Sequence, residues 1–361
     1  MQIRLTRNTL PLVAPVVTSQ GTISERTVWV VQIADGTGRI GMGEAAPLPA
    51  FGTETPEACV EALRLSLKLM DIAWIGSWLM RGRADAPLGR TIENHLAKAP
   101  CARAAIEGAL LDLMAQQQDR PLAHLLADDP PAERLAVNAL ITGDQQQASE
   151  TARTFASAGF SCFKLKLTGD ISADLERIFA VRDAIGNPTR LRVDANGAFD
   201  LDRALVFAVE VGDAHIEYCE QPLAPGHLDE LAALRRRSGM TVAVDEDVRV
   251  PADIGRIASC QAADVVVIKP TFLGGWRPTK QAVELARSCG LDVVITSGLD
   301  GAVGRAQATH CAAALHLTGR AHGLSSSILL AEDLTDDPLT ISSGFVVMRE
   351  RPGLGIGRLR K

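Results

Sequence analysis

The second half of the chain alternates short apolar runs with longer segments whose apolar positions recur at helical spacing. A strand, a crossover helix and their loops together need roughly 25–30 residues, which matches this rhythm. The pattern therefore predicts an α/β fold, a (β/α)8-type (TIM-like) barrel. The candidate barrel strands are Leu135–Ile141, Cys162–Leu167, Leu191–Asp194, His215–Glu220, Thr241–Asp245, Val265–Lys269, Asp292–Thr296 and Ala321–Leu324.

The N-terminal part follows a different pattern. Gln2–Leu5 and Thr27–Ile33 have the composition of strands, and a hairpin signal follows the second of them. We expect an α+β capping domain over residues 1–130 and a barrel catalytic domain over residues 131–325. Residues 326–361 leave the strand–helix repeat, and we expect them to return to the capping domain and complete it.

Five charged residues stand at the ends of consecutive predicted strands, 24 to 28 residues apart: Lys166, Asp194, Glu220, Asp245 and Lys269. The carboxyl ends of parallel barrel strands meet at one rim, where the active sites of this architecture lie. Five unrelated strand-end charges are the alternative, but both the spacing and the order of residue types would then be accidental. We therefore expect the five side chains to form one site.

Three carboxylates at one rim repel one another unless a cation neutralises them. Oxygen ligands favour a hard divalent ion, so Asp194, Glu220 and Asp245 predict a site for Mg²⁺, with Mn²⁺ as an alternative. Lys166 and Lys269 would lie on either side of this ion. Such a site suits removal of a proton next to a carboxylate, with the resulting enediolate stabilised by the metal.

Composition and charge limit the classes of partner that we expect the protein to bind. The chain has 361 residues, 47% of them hydrophobic and 22% charged, with a net charge of −6. No long basic run favours nucleic acid or an anionic membrane, so we expect neither as a partner. The seven cysteines are scattered and form no C-x-x-C motif, and no apolar run approaches ~18 residues. We expect a cytoplasmic protein that acts on a small-molecule carboxylate, and a homo-oligomer is compatible with this composition.

The motifs around the five charges resemble the enolase superfamily and, within it, the muconate-lactonising branch. The matching segments are Lys164-Leu165-Lys166, Asp194-Ala195-Asn196-Gly197, Glu220-Gln221-Pro222, Asp245-Glu246 and Ile268-Lys269-Pro270. The resemblance implies that the three acids are metal ligands, that Lys166 is the base and that Lys269 is the opposing lysine. It also implies that Lys164 is a helper, and a nearby like charge does favour a neutral amine. The mandelate racemase branch would carry a histidine where Thr296-Ser297-Gly298 stands here.

Two loop segments are similar to those of o-succinylbenzoate synthases: Phe51-Gly52-Thr53-Glu54-Thr55 and Gly323-Leu324-Ser325-Ser326-Ser327. This similarity implies a carbon–oxygen lyase that dehydrates a succinyl-hydroxycyclohexadiene-carboxylate to o-succinylbenzoate, a step toward menaquinone. The expected substrate contacts are Phe51, Asn196, Ser297 and Ser325.

The alternative reaction is racemisation or epimerisation of dipeptides or N-acyl amino acids, with Lys166 and Lys269 exchanging protons on opposite faces. Dipeptide epimerases carry an Asp-x-Asp pair where Leu324-Ser325-Ser326 stands here, and Asp300 is the acid that could replace it. A Schiff-base lyase on the same barrel is a further alternative, but it has no need for three carboxylates at the rim. A binding protein without activity is another, and nothing supports it, since every group needed for catalysis is present.

Overall fold

The computed structural model describes residues 1–18 and 21–360. Its strands are β1 (Gln2–Thr18), β2 (Gly21–Ala34), β3 (Ile40–Ala45), β4 (Arg134–Ala136), β5 (Ala139–Ile141), β6 (Cys162–Lys166), β7 (Arg190–Asp194), β8 (Ile216–Glu220), β9 (Val242–Val244), β10 (Val265–Ile268), β11 (Asp292–Ile295), β12 (Ile341–Ser342) and β13 (Phe345–Val347).

The α-helices are α1 (Pro56–Leu69), α2 (Ile72–Leu79), α3 (Arg90–Leu96), α4 (Pro100–Gln117), α5 (Leu122–Leu126), α6 (Gln145–Ser157), α7 (Ile171–Ile185), α8 (Leu201–Glu210), α9 (Leu228–Ser238), α10 (Asp253–Cys260), α11 (Pro270–Leu273), α12 (Trp276–Ser288) and α13 (Ala302–Ala314). Single 3-10 turns occupy Pro49–Phe51, Gly212–Ala214 and Ser326–Leu329.

The N-terminal unit is an antiparallel sheet in the order β1-β2-β3, packed on helix α4. The helix approaches the sheet closely at Gly43, where an added Cβ would collide with the carbonyl oxygen of Ala105. Helix α4 is buried along almost its whole length, because the sheet covers one side of it and the barrel helices α11 and α12 pack against it. Antiparallel strands followed by helices confirm the α+β character expected of this unit.

The barrel consists of seven parallel strands in the order β5 to β11. The predicted eighth strand, Ala321–Leu324, is reduced to two isolated bridges, Val137 with His322 and Thr296 with Gly323. Val137 lies just before β5 and Thr296 just after β11, and these are the two outer strands of the sheet. The bridges through His322 and Gly323 therefore join the two outer strands and close the barrel. The (β/α)8-type expectation is confirmed, although the last strand is hardly formed.

The predicted first barrel strand, Leu135–Ile141, is two strands in the structure. Residues Arg134–Ala136 leave the barrel and pair with β13, while Ala139–Ile141 pair with β6. The C-terminal segment 326–361, called the tail below, also contacts the capping sheet, because Leu330 forms a bridge with Leu12. The tail therefore binds both units, and the three-part division at residues 130 and 325 remains a prediction.

No helix in the described part of the chain is both long enough and apolar enough to cross a membrane. All seven cysteines are free thiols, five of them buried.

Candidate active site

Strand register places the predicted charges on one level of the barrel. Lys166 pairs in register with Asp194, Asp194 with Glu220, and Glu220 with Ala243. Asp245 lies two residues beyond Ala243, so its side chain points to the same side of the strand. Lys269 directly follows β10. The structure thus brings the five residues together at the carboxyl end of the sheet.

Each carboxylate of the trio is bonded to a lysine. Lys164 Nζ lies 2.8 Å from Asp194 Oδ2 and 2.6 Å from Glu220 Oε1. Lys166 Nζ lies 2.7 Å from the same Asp194 oxygen. Lys269 forms an ion pair with Asp245. Three ammonium groups thus contact the three acids, and Lys164 is shared between Asp194 and Glu220.

The electrostatics of the buried acids differ from one another. Burial and the neighbouring Asp194 carboxylate raise the pKa of Glu220 to about 8. Burial also acts on Asp194, but attraction to Lys164 and Lys166 outweighs it and holds the pKa of Asp194 well below its usual range. Burial would lower the pKa of Lys164, yet Asp194 and Glu220 raise it well above its usual value. The site therefore holds more carboxylate than it can easily keep ionised without added positive charge.

The donor set fits a hard divalent cation in its chemistry, since Asp194, Glu220 and Asp245 offer only oxygen atoms. Among residues 1–18 and 21–360, no group of three or more His, Cys, Asp and Glu side chains is arranged as a formed metal site. Lys164 bridges Asp194 and Glu220, whereas Lys166 and Lys269 each pair with one carboxylate of the trio.

A cleft of about 710 Å³, counting its open mouth, lies above the lysines. Its walls come from the barrel, from the β1–β2 hairpin and from the loop that follows β3. The predicted site residues that line it are Phe51, Lys164, Lys166, Asp245, Lys269, Ser297 and Ser325. Apolar side chains supply most of the remaining wall: Val16, Ile23, Leu48, Leu140, Phe272, Leu299 and Leu329.

The side chains expected to contact the substrate differ in the partners that they already have within the protein. Phe51 and Phe272 place their ring centroids 5.8 and 5.7 Å from Lys269 Nζ. Ser297 Oγ lies 2.6 Å from Ser326 Oγ. Ser325 Oγ donates to the backbone carbonyl of Asn138. Both predicted serines thus line the cleft but already share their hydroxyl groups with the protein.

Asn196 lies beneath the cleft wall, not on it. Its Oδ1 accepts a hydrogen bond from Lys166 Nζ at 2.7 Å, and its Nδ2 donates to Glu246 Oε1 at 2.9 Å. The geometry gives Asn196 contact with the expected base, whereas the sequence suggested contact with substrate.

Two interdomain contacts of the site were missed from the sequence. Glu44 on β3 accepts hydrogen bonds from the backbone N–H groups of Gly301 and Gly304 at 2.6 and 2.8 Å. Arg26 on β2 donates from its Nε to the carbonyl oxygen of Leu299 at 3.4 Å. These buried contacts join the capping sheet to the loop before α13, part of which lines the cleft. Sequence offers no signal for such pairs, since 257 positions separate Glu44 from Gly301.

Asp300 does not line the cleft. It is 1% exposed, and its Oδ2 accepts a hydrogen bond from Thr271 Oγ1 at 3.1 Å. The side chain of Asp300, the acid that could have replaced the Asp-x-Asp pair, therefore lies in the protein interior and not in the cleft.

Residues 147–358 match the family described as "Enolase C-terminal domain-like", and residues 1–74 match "MenC, N-terminal domain". The chain therefore belongs to the enolase superfamily, a class of barrel enzymes.

Two curated relatives and one solved structure resemble the chain. The L-Lys-D/L-Arg epimerase of Methylococcus capsulatus is 32% identical over 96% of this chain and 95% of the relative. The o-succinylbenzoate synthase of Thermobifida fusca is 40% identical over 61% of this chain and 68% of the relative. The structure of the Methylococcus capsulatus dipeptide epimerase, complexed with Mg and the dipeptide L-Arg-D-Lys, has a TM-score of 0.84 at 30% identity, over 98% of both chains.

Proposed function

We propose that the protein removes the proton α to the carboxylate of an N-acylated amino acid and returns a proton to the opposite face. One observation carries the proposal: Lys166 and Lys269 line the same cleft from strands β6 and β10. In the sheet order these two strands are separated by β7, β8 and β9, which carry the three acids or lead into them. A substrate carboxylate above the acids would have one lysine on each side of its α carbon.

The roles of the chain's residues follow from their contacts. Lys166, held by Asn196 and Asp194, would take the α-proton on one face. Lys269, held between Phe51 and Phe272, would deliver a proton on the other. A divalent ion bound by Asp194, Glu220 and Asp245 would supply positive charge that stabilises the developing enediolate. The apolar upper walls would keep water from the exchanging protons.

The cleft favours an uncharged substrate nitrogen over the free ammonium of a dipeptide. Among the described residues that line it, Asp245 is the one acid, and Lys269 already neutralises it. Burying an ammonium without a counter-charge is costly. Acylation removes that charge, so an N-acyl amino acid suits this wall better.

The second candidate is dehydration to o-succinylbenzoate, which was the main expectation from the sequence. It is supported by the synthase of Thermobifida fusca and by the match of residues 1–74 to the MenC N-terminal domain. The epimerase relative, which aligns over nearly the whole chain, supports the racemase alternative better. Both reactions would begin with the same proton abstraction by Lys166.

Deuterium exchange tests the proposal. N-acyl amino acids of both configurations are incubated with Mg²⁺ in D₂O, and α-proton loss is followed by NMR. The wild type should exchange both enantiomers. Lys166→Ala should lose exchange from one enantiomer and Lys269→Ala from the other, while Lys68→Ala, on the exposed side of α1, should behave as the wild type.

The two candidates give different outcomes in this assay. Loss of water from the cyclohexadiene substrate, without exchange into any amino acid derivative, would favour the dehydratase. Retention of exchange from both enantiomers after either lysine is removed would refute the two-base arrangement.

A further inference from the structure

Lys269 is the last residue before the short helix α11, and its backbone belongs to the first turn of that helix. The carbonyl oxygen of Lys269 accepts hydrogen bonds from the N–H groups of Phe272 and Leu273 at 3.0 and 2.9 Å. Phe272, whose ring lies beside the Lys269 ammonium, is carried by the same helix. The place of the ammonium in the cleft therefore depends on where α11 lies.

A buried hydrogen bond connects α11 to the loop after β11. Thr271 Oγ1 donates to Asp300 Oδ2 at 3.1 Å. Thr271 lies two positions after Lys269, and both Thr271 and Asp300 are buried. Removing one partner of such a pair leaves the other buried without its hydrogen bond, which is costly. Asp300 thus contacts the helix that follows Lys269 although it does not line the cleft.

The chain on both sides of Asp300 is held by the capping sheet. On one side, Arg26 Nε donates to the carbonyl oxygen of Leu299 at 3.4 Å. On the other side, the N–H of Gly301 donates to Glu44 Oε1 at 2.6 Å. The capping sheet therefore helps to fix the position of the carboxyl group that binds α11.

Burial of a carboxyl group at this position is unfavourable in itself. Burial raises the pKa of Asp300, and attraction to the nearby Arg26 opposes this rise. Within residues 1–18 and 21–360, Asp300 Oδ1 has no hydrogen-bond partner. Buried polar atoms are nearly always paired, so this exception needs an explanation. The hydrogen bond to Thr271 supplies one, since it connects Asp300 to the helix that carries Phe272 and follows Lys269.

We propose that Asp300 is a positioning residue for Lys269, acting through Thr271 and helix α11. The proposal rests on the proposed function, because Lys269 is taken as the base for one of the two enantiomers. Without the hydrogen bond between Thr271 and Asp300, α11 would shift and the ammonium would leave its place beside the α carbon. A displacement of about 1 Å can lower a rate about 100-fold. The loss should fall on the face of the substrate that Lys269 serves.

Deuterium exchange from the two enantiomers of N-acetylleucine measures this selectivity. The enantiomer served by Lys269 is the one whose exchange Lys269→Ala abolishes. Thr271→Val removes the hydroxyl but keeps the shape of the side chain, so it should slow exchange from that enantiomer about 10- to 100-fold and leave the other nearly unchanged. Asp300→Asn should shift the ratio in the same direction by less, because its amide oxygen can still accept the hydrogen bond. Thr271→Ser keeps the hydroxyl and should keep the wild-type ratio.

Asp112→Asn is the matched control for a loss of stability. Asp112 is also a fully buried aspartate, but it accepts from the backbone N–H groups of Met42 and Leu354, where the capping sheet meets the tail. Any effect of this substitution on exchange should be equal for both enantiomers. Thermal unfolding of every variant establishes that it is folded. An equal fall for both enantiomers in Thr271→Val, an unchanged ratio, or a loss that Thr271→Ser shares overturns the proposal.

The reactivity of the lysines toward isotope-labelled acetic anhydride separates this proposal from the proposed function. Mass spectrometry gives the acetylation of Lys269 relative to Lys166 in the same protein, without any substrate. Thr271→Val should raise this ratio severalfold, because the Lys269 ammonium loses its place between Phe51 and Phe272, and Thr271→Ser should not. A wild type that exchanges no N-acyl amino acid refutes the proposed function, and the labelling result then decides on the proposal. An unchanged labelling ratio in Thr271→Val overturns the proposal whether or not the wild type is active.

Discussion

Lys166 Nζ donates a 2.7 Å hydrogen bond to Asn196 Oδ1. The amide of Asn196 cannot turn freely, because its Nδ2 donates to Glu246 Oε1. The backbone at Asn196 is held separately, since its N–H donates to Asp194 Oδ1. Its φ of 44° is in the left-handed region, which asparagine tolerates better than most residues. Asn196 is therefore a positioning residue for the proposed base.

Asn196→Gly should lower the rate of α-proton exchange about 10- to 100-fold with a smaller change in KM. The substitution removes the hydrogen bond that orients Lys166 while glycine accepts the backbone conformation, and misplacing a base costs about 1.4 kcal/mol of barrier per tenfold loss of rate. Exchange kinetics at several substrate concentrations measure kcat and KM separately.

The Asn196→Ala variant separates the effect of losing the side-chain amide from the effect of straining the backbone. It should lose as much activity as Asn196→Gly but unfold at a lower temperature, because alanine is strained at positive φ. An unchanged kcat in the glycine variant would show that Asn196 does not position the base.

Glu220→Gln should abolish stabilisation by Mg²⁺. An ion that binds only the folded state stabilises the wild type by about 2.7 kcal/mol at a concentration 100 times its dissociation constant. Replacing one charged oxygen donor with a neutral amide should lose most of that effect, and exchange activity should fall with it. Without metal, the variant should be at least as stable as the wild type, because burial and Asp194 disfavour the ionised form of Glu220.

Thermal unfolding with Mg²⁺ and with a chelator checks this prediction. Glu210→Gln, an exposed change on helix α8, is the control and should respond to Mg²⁺ as the wild type does. An equal Mg²⁺-dependent shift in Glu220→Gln would remove this carboxylate from the ligand set.

The convergence of the five charges could be predicted because it depends on local regularities. Strand length and the alternation of side chains place Lys166, Asp194 and Glu220 on one level once the strands are parallel. The eighth strand was harder to foresee, since closure depends on single bridges such as Thr296 with Gly323 and not on an apolar run.

The contacts that shape the cleft could not be predicted, because they join distant parts of the chain. Nothing near Gly52 in the sequence indicates that its backbone will lie against Arg249, and nothing near Ser325 indicates that its hydroxyl will bond to Asn138. Such pairs arise from how the capping loop and the barrel loops pack, which strand periodicity does not determine.

Glu44→Ala should destabilise the protein by about 2–4 kcal/mol, because it leaves the buried N–H groups of Gly301 and Gly304 without acceptors. Burial and the nearby Asp300 raise the pKa of Glu44 to about 8. The folded state therefore keeps a proton that the unfolded chain releases above about pH 4.5, and the wild type loses stability as pH rises from there to 8. The loss caused by the substitution should be larger at pH 5 than at pH 8.

Denaturant unfolding at both pH values measures these differences. Glu25→Ala, an exposed change on β2, should have little effect at either pH. A loss of stability that is the same at pH 5 and pH 8 would contradict the buried, protonated state of Glu44.

His310 should make the fold sensitive to acid. Its Nδ1 accepts from the backbone N–H of Ala123 at 3.0 Å, and its Nε2 donates to the carbonyl oxygen of Leu354 at 3.1 Å, so the neutral ring joins α5 and the tail to α13. Burial lowers the pKa of His310 to about 4. The unfolded chain takes up a proton near pH 6.5, so the stabilising contribution is complete above that pH and is lost as pH falls toward 4.

His310→Asn should therefore lower stability at pH 7.5 but reduce the further loss between pH 7.5 and pH 5 by about 2 kcal/mol relative to the wild type. Asparagine keeps an acceptor for Ala123 and cannot gain a charge. His316→Asn removes an exposed imidazole just beyond the same helix, and its stability should follow the wild-type pH profile. If His310→Asn loses as much stability as the wild type over this range, acid sensitivity arises at other groups, of which the equally buried His322 would be examined next.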